Sequence, residues 1–519
     1  MKASPPGRRG PGNPAAPVAS SGDETQPEAG PEGVGASPGS LLGAVSWAYA
    51  ARYSAKALTF VATVILARLL LKEDFGLAGF ALIVIGFLEV TKDLGIGASV
   101  IFYGDDDESL DTAFWLNIGS GLLLGALAWA IAPLVGGFFG APRATSMTRV
   151  LALSFPLMAL GNIHRSILER RLAFRRLFIP DLAKAIGKGT LSISLALLGF
   201  GAWSLVIGHL GGTAVSVVAY WLVLRWRPAK RFVRTKAAPL LRYGIQIVAV
   251  NVVGVLLNNL DYLVVGRYLG AEALGVYILA FRLPELLIKE LSTGASRALF
   301  PAFSSVRSDP GVLRERFLNT MSYLALVMVP AGLGLAAVAD PLVRTLYTDK
   351  WEQAIPVMSV IAVYLVVQGV AFNIGDIYKA TGRPTLLTKI SLVRLPVLLA
   401  MLWWAVTGPG TLLAVGFAQL GSAVFTVTLS VVVAARVLAI RPADIWGAFR
   451  APFLAGVGMV AAVLIVLRVL PSQIASWLEL TMGIAVGVGA YMTGFWLFDR
   501  QKLISVLRAI RTRRRTSQA

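Results

Sequence analysis

A set of ionisable side chains stands inside otherwise apolar stretches of this sequence. A charged group at membrane depth costs about 2.5–3.5 kcal/mol or more unless it faces a water-filled cavity or a partner. Each therefore marks a place where binding or pairing keeps it. Arg52 and Lys56 are i,i+4 neighbours and share one helix face. Glu89, Lys92 and Asp93 cluster, and Asp181, Lys184 and Lys188 follow at i, i+3, i+7. Asp261 comes after Asn258 and Asn259; Arg282, Glu285, Lys289 and Glu290 share the next stretch; Asp376 and Arg394 lie further on. The balance is cationic. Guanidinium and ammonium groups bind phosphate oxygens strongly when partly desolvated, so the pattern predicts a cavity for a phosphorylated substrate. Its predicted binding residues are Arg52, Lys56, Lys92, Lys184, Lys188, Arg282, Lys289 and Arg394. Asp261, Glu89 and Asp376 are the candidates for ion coupling.

A plainer reading competes at each position. Asp181 can pair with Lys184 or Lys188, and Glu285 with Lys289; Arg52 can snorkel to the headgroups. Asp261 can bond the turn Gly266–Gly270 or pair with Arg267, and this structural role is favoured over proton or sodium coupling. His209, Asn162 and Asn373 read as polar groups that bond across packed helices. Gly211-Gly212 and Gly487-x-Gly489 read as close-packing points.

Other chemistries are excluded. There are no cysteines, so no disulfide, thiolate nucleophile or cysteine metal site exists, and two histidines are too few for a histidine-rich centre. No phosphate-binding glycine-rich loop appears, so the chain does not hydrolyse ATP, and no cofactor is expected. A net charge of +20 would suggest nucleic acid in a soluble protein. Here the cations lie between apolar runs, where they set topology and meet anionic headgroups.

The elements that must position these residues are transmembrane helices. Of 519 residues, 56% are hydrophobic and 15% charged, and apolar runs of about 20 residues recur throughout. About fourteen helices are predicted, near 44–70, 76–101, 112–135, 147–164, 178–198, 202–224, 240–266, 273–297, 317–339, 354–380, 386–406, 412–437, 451–470 and 478–498. Alternate connections are rich in Arg and Lys: Arg165, Arg170, Arg171, Arg175 and Arg176, then Arg225 through Arg242, and onward to the tail after Arg500. The opposite connections carry few, among them Arg68, Lys72, Arg267 and Lys350. This bias predicts both termini in the cytoplasm of a multi-pass inner-membrane protein. Asp105, Asp106, Asp107, Glu108 and Asp111 form a dissenting acidic turn on the basic side. Residues 1–40, rich in Pro, Gly, Ala and Ser, are expected to be a disordered cytoplasmic tail without the apolar core of a signal peptide, and 499–519 a basic one.

The two halves echo each other. Ala67-Arg68-Leu69-Leu70, then Glu73, Phe75 and Gly76, match Gly266-Arg267-Tyr268-Leu269, then Glu272, Leu274 and Gly275, at one constant offset. Pro133-Leu134-Val135 later matches Pro341-Leu342-Val343, and Asn162 matches Asn373. Six helices are thus duplicated. An even number keeps both copies in the same direction, so they relate by a pseudo-two-fold axis along the membrane normal around a central cavity. The expected division is 41–236 (N-lobe), 237–440 (C-lobe) and 441–498 (two extra helices).

These residues resemble a known family. Gly199-Phe200-Gly201-Ala202-Trp203-Ser204-Leu205-Val206 is similar to the fifth-to-sixth helix turn of Wzx-type polysaccharide flippases. So are Asn259-Leu260-Asp261-Tyr262 through Gly270, Leu274-Gly275-Val276-Tyr277, Phe300-Pro301-Ala302-Phe303, and Leu168 through Arg176. The resemblance spans roughly 44–440 and implies the multidrug/oligosaccharidyl-lipid/polysaccharide exporter superfamily. It implies a non-enzymatic flippase moving undecaprenyl-pyrophosphate-linked oligosaccharide to the outer face of the bacterial inner membrane, by rocking of two lobes. A proton or sodium gradient, membrane lipids and a polysaccharide polymerase are the implied partners. The N-terminal extension and the acidic run 105–108 depart from the family pattern. Rival readings are a peptidoglycan-precursor flippase, a cation-coupled drug antiporter and a membrane-embedded polymerase. The cationic cavity argues against the antiporter, and short outward connections argue against the polymerase.

Overall fold

The computed structural model describes residues 38–91, 94–103, 106–289, 299–471 and 473–501; the side chains of 38–52, 102–103, 243, 246–247 and 249–253 lie outside the description. Among the described residues all regular structure is helical. The first half contains α1 (Pro38–Leu69), α2 (Lys72–Glu89), α3 (Ile96–Tyr103), α4 (Asp107–Phe139), α5 (Pro142–Ala152), α6 (Ser154–Arg170), α7 (Phe174–Leu197) and α8 (Ala202–Val223). The second contains α9 (Arg234–Pro284), a π-helical turn Glu285–Lys289, α10 (Pro310–Ala337), α11 (Ala339–Leu346), α12 (Ala354–Val370), α13 (Ile374–Ala380), α14 (Thr385–Thr407) and α15 (Leu412–Leu438). Two more, α16 (Pro442–Val469) and α17 (Ser476–Phe498), pack against each other and against α10.

Among the described residues, which leave out 92–93 and 290–298, helices fall in the stretches expected from the sequence, and several are broken. The second span is split into α2 and α3, and the tenth into α12 and α13. The seventh and eighth run as α9 with a sharp turn at Gly270, whose φ of 85° and ψ of −175° suit only glycine. Ten helices among the described residues are long and apolar enough to cross a bilayer, one of them being the stretch Gly254–Lys289 that contains the Gly270 turn. The charged α2 and α7 are not among the ten, because Lys72, Glu73, Asp74 and Glu89 load the first and Arg175, Arg176, Asp181, Lys184 and Lys188 the second. The protein is a multi-pass membrane protein with a bundle fold.

The halves meet in a reciprocal seam. A methyl group at Gly76 would overlap the Ala271 carbonyl, and one at Gly275 would overlap the Lys72 carbonyl. Ala271 is the repeat counterpart of Lys72, and Gly275 of Gly76. Gly79 faces Ile278, its own counterpart. Contacts of i with j and of j′ with i′ are the mark of a two-fold relation, here within one chain. Glycine at these points lets backbones touch.

That end of the bundle is sealed by cations placed on helix C-termini. Arg68 Nε and Nη2 donate to the Leu346 and Thr345 carbonyls at 2.9 and 2.6 Å. Lys350 Nζ donates to the Arg68 and Leu70 carbonyls, both at 2.8 Å. Buried Trp351 donates from its indole to the Ala67 carbonyl at 2.8 Å and meets Phe75 edge-on. Lys72 bonds Glu272 and Gln353, each at 3.1 Å. The last carbonyls of a helix lack internal partners, so each half completes the other's helix ends.

At the opposite end the acidic turn has a partner. Asp111, almost fully buried, accepts from the Ala229 amide at 2.9 Å, and Thr112 Oγ1 accepts from the Val233 amide at 3.1 Å. Trp115 donates to the Ala229 carbonyl at 2.8 Å. Arg231 pairs with Glu108 and Lys236 with Asp106, at 3.4 and 3.3 Å. The acidic residues hold the basic segment that links the two halves. Asp105 lies outside the described residues.

Candidate functional site

A cavity of about 670 Å³ lies between the halves. The first half contributes α1, α2, α7 and α8; the second contributes α9, the π-turn, α12, the break after it, and α15. Lys188, Arg282, Glu285, Lys289 and Asp261 line it. Lys188 of α7 stands within electrostatic reach of Arg282 across the cavity and of Lys184 and Glu89 on its own side. Like charges gathered in a low-dielectric space repel, and Glu89 and Glu285 offset part of that repulsion here.

The end of α9 and the π-turn that follows have two faces. Arg282, Glu285 and Lys289 look into the cavity, with Lys289 bonded to Glu285 at 2.6 Å. Leu283 and Leu287 instead line a separate groove of about 660 Å³ with α10, α16 and α17. Its lining is almost wholly apolar and includes Gly334, Gly483 and Gly487, where missing side chains leave room. Ile484, Val488 and Met492 are exposed along it. A charged cavity and an apolar groove thus share one wall.

Residues 65–356 match the polysaccharide biosynthesis protein family. The chain belongs to this family. Among its relatives, the match to the teichuronic acid biosynthesis protein TuaB of Bacillus subtilis is 30% identical over 58% of this chain and 63% of that protein. The lipopolysaccharide biosynthesis protein WzxC of Escherichia coli is 27% identical over 68% and 72%. The succinoglycan biosynthesis transport protein ExoT of Rhizobium meliloti is 25% identical over 91% and 95%. In fold the family member described here is similar to a lipid II flippase MurJ in an inward closed conformation, with TM-score 0.70, 17% identity and coverage of 88% and 99%. An inward-facing MATE multidrug transporter follows at TM-score 0.60, 16% identity, 75% and 96%.

Of the predicted binding residues, Lys188, Arg282 and Lys289 line the cavity. Lys56 stands within electrostatic reach of Glu285, and Lys184 flanks Lys188. Arg394 lies outside the lining, on α14 beside Tyr364. The Arg52 side chain and Lys92 are outside the described residues, as are Asp93 and Glu290. Asp261 bonds neither the Gly270 turn nor Arg267: its Oδ2 accepts from Tyr277 at 2.9 Å, while Arg267 lies over the Phe138 ring. Glu89 stands 3.6 Å from His209, and Asp376 accepts from Lys379 at 3.2 Å. Asp181 pairs with Arg165 at 3.2 Å, because Arg165 of α6 reaches across to α7. Asn162 does bond across helices, to Asn117 at 3.4 Å; Asn373 is fully buried with neither amide atom partnered.

Gln419, Gln368, Phe372 and Tyr364 line the cavity without having been singled out in the sequence. They sit in strongly apolar helices as uncharged groups, which periodicity does not distinguish from packing residues. The break after α12 is the one local signal, since irregular backbone at membrane depth survives where it lines a cavity.

Proposed function

We propose that the chain is a flippase. It carries undecaprenyl-pyrophosphate-linked oligosaccharide units from the cytoplasmic to the outer face of the bacterial inner membrane, for assembly of a surface polysaccharide. The observation that carries this reading is the cavity charge: Lys188 from the first half and Arg282 and Lys289 from the second converge on one space. A pyrophosphate satisfies cations from both halves at once, which no monovalent group does equally. The relatives named for teichuronic acid, lipopolysaccharide and succinoglycan biosynthesis support the substrate class. The apolar groove across the Leu283–Leu287 wall suits the polyprenyl tail.

In this proposal residues 41–236 and 237–440 are the rocking lobes, and 441–498 complete the groove. The linker end faces the cytoplasm, following the basic connections, so the Arg68–Lys350–Trp351 seal closes the outer end. Transport alternates this state with one in which the seal parts and the linker end closes. Asp261, Glu89 and Asp376 are the groups through which a proton or sodium gradient would act.

Gene deletion tests the reading. Lost surface polymer with glycolipid trapped on the cytoplasmic leaflet is the expected outcome. Glycolipid that still reaches the outer leaflet as unpolymerised units would mean a polymerase, and lost peptidoglycan with intact polymer would mean the peptidoglycan-precursor flippase whose fold this chain shares.

A further inference from the structure

The two walls of the cavity differ in chemistry. On the first-half wall the Thr59 and Thr63 hydroxyls donate to carbonyls of their own helix at 2.9 Å, and Lys188 is the charge it presents. Besides Arg282, Glu285 and Lys289, the second-half wall presents amides and rings. Asn258 and Gln368 open into the cavity, and Phe372 lies exposed beside them. Tyr262 lines the same wall, held edge-on by Tyr277 at 5.4 Å. Deeper in, Gln419 and Asp261 are 3% and 1% exposed. Gln419 Oε1 is buried without a hydrogen-bond partner, while the Gln419 amide stands within hydrogen-bonding reach of the Asp261 carboxylate.

We infer that this second-half wall is a saccharide subsite, in which Gln419, Asp261, Asn258 and Gln368 bond sugar hydroxyls and Phe372 and Tyr262 receive the apolar face of a pyranose ring. The inference rests on the flippase reading and deepens it. A pyranose has hydroxyls that both donate and accept around its rim, and C–H groups on its faces. Amides supply donor and acceptor together, and a carboxylate accepts two hydroxyls. Aromatic rings give large flat contact at little conformational cost. Phosphate fits this wall badly: it is an acceptor, and Asp261 and the Gln419 carbonyl are acceptors too. The wall therefore sorts the substrate. Pyrophosphate goes to Lys188, Arg282 and Lys289, and the sugars go to the amide and ring face. Leaving Gln419 Oε1 buried and unbonded is costly, and a bound hydroxyl removes that cost.

The test compares two radiolabelled probes on the full chain in nanodiscs: undecaprenyl pyrophosphate alone, and the same lipid carrying one glucose. Wild type is expected to bind the glycosylated lipid more tightly. Gln419→Leu and Asn258→Ala are each expected to weaken the glycosylated probe about tenfold, the worth of one or two hydrogen bonds, and to leave the bare lipid within about twofold. Asn258 is exposed to the cavity, so its variant reports binding even where a change at buried Gln419 harms folding. Lys188→Ala should weaken both probes alike. Equal affinity of wild type for the two probes, or equal losses in the Gln419 and Asn258 variants, would overturn the saccharide subsite while leaving the flippase reading intact. Failure of wild type to bind either probe would overturn both.

Discussion

Lys188 and Arg282 come from opposite halves and lie within electrostatic reach of each other, with Glu89 near the first and Glu285 near the second. Replacing either with glutamine keeps length and polarity but removes the charge. Each variant is expected to lower export about tenfold or more, the value of one charge-assisted phosphate contact, at unchanged membrane abundance. Surface polysaccharide measured against an immunoblot of the membrane fraction checks this; normal export from both variants would end the cationic-cavity account. These positions were readable in the sequence because a charge inside an apolar helix is conspicuous. Their pairing was less so. Asp181 turned to Arg165 and Asp261 to Tyr277, partners set by which helices pack together rather than by spacing along one helix. Gln419, uncharged and within an apolar run, gave no comparable signal.

At the scale of elements, the acidic turn before α4 acts on the linker between the halves. Its contacts are of unequal weight. The Arg231–Glu108 and Lys236–Asp106 pairs are exposed and worth about 0–1 kcal/mol each. Asp111 is buried and accepts the Ala229 amide, a hydrogen bond to a charged group worth about 1.5–3 kcal/mol. Asp111→Ala is therefore expected to free the linker, read as faster trypsin cleavage between Arg225 and Lys236, whereas Glu108→Gln leaves cleavage near wild type. Asp106 is held below the usual carboxylate range chiefly by its hydrogen bond with Ser109, with Lys236 adding to it. A lowered folded-state pKa contributes stability that is present at neutral pH and lost only as pH falls through the lowered value. Cleavage, measured relative to an unstructured control peptide to cancel trypsin's own pH profile, should thus be flat from about pH 8 to pH 5. Helix positions were legible from run length throughout. The breaks in the second and tenth spans were not, since a turn inside a long apolar run changes neither composition nor period.

For the whole molecule, one end is closed and the other carries the linker. The closed end can be trapped. The chain has no cysteine of its own, so Lys72→Cys with Glu272→Cys places a single reactive pair where an exposed contact of 3.1 Å now joins the halves. A short bifunctional thiol reagent is expected to stop export in the double variant and in neither single variant, with reductant restoring it. Export that continues through a complete cross-link would show that the halves need not part there. The repeat that predicted a two-fold relation was readable because its matching residues lie in this seam, where close backbone approach tolerates few alternatives. Trp351 was not, because a lone aromatic in a connection does not announce the carbonyl it will bond.

The reciprocity of Gly76 with Ala271 and of Gly275 with Lys72 has a further meaning. A surface that is complementary to its own duplicate is what two separate copies of one six-helix polypeptide would use to form a homodimer. The seam has the form that such an interface would take, folded here into a single polypeptide whose two halves are joined by the linker that Asp111 clasps.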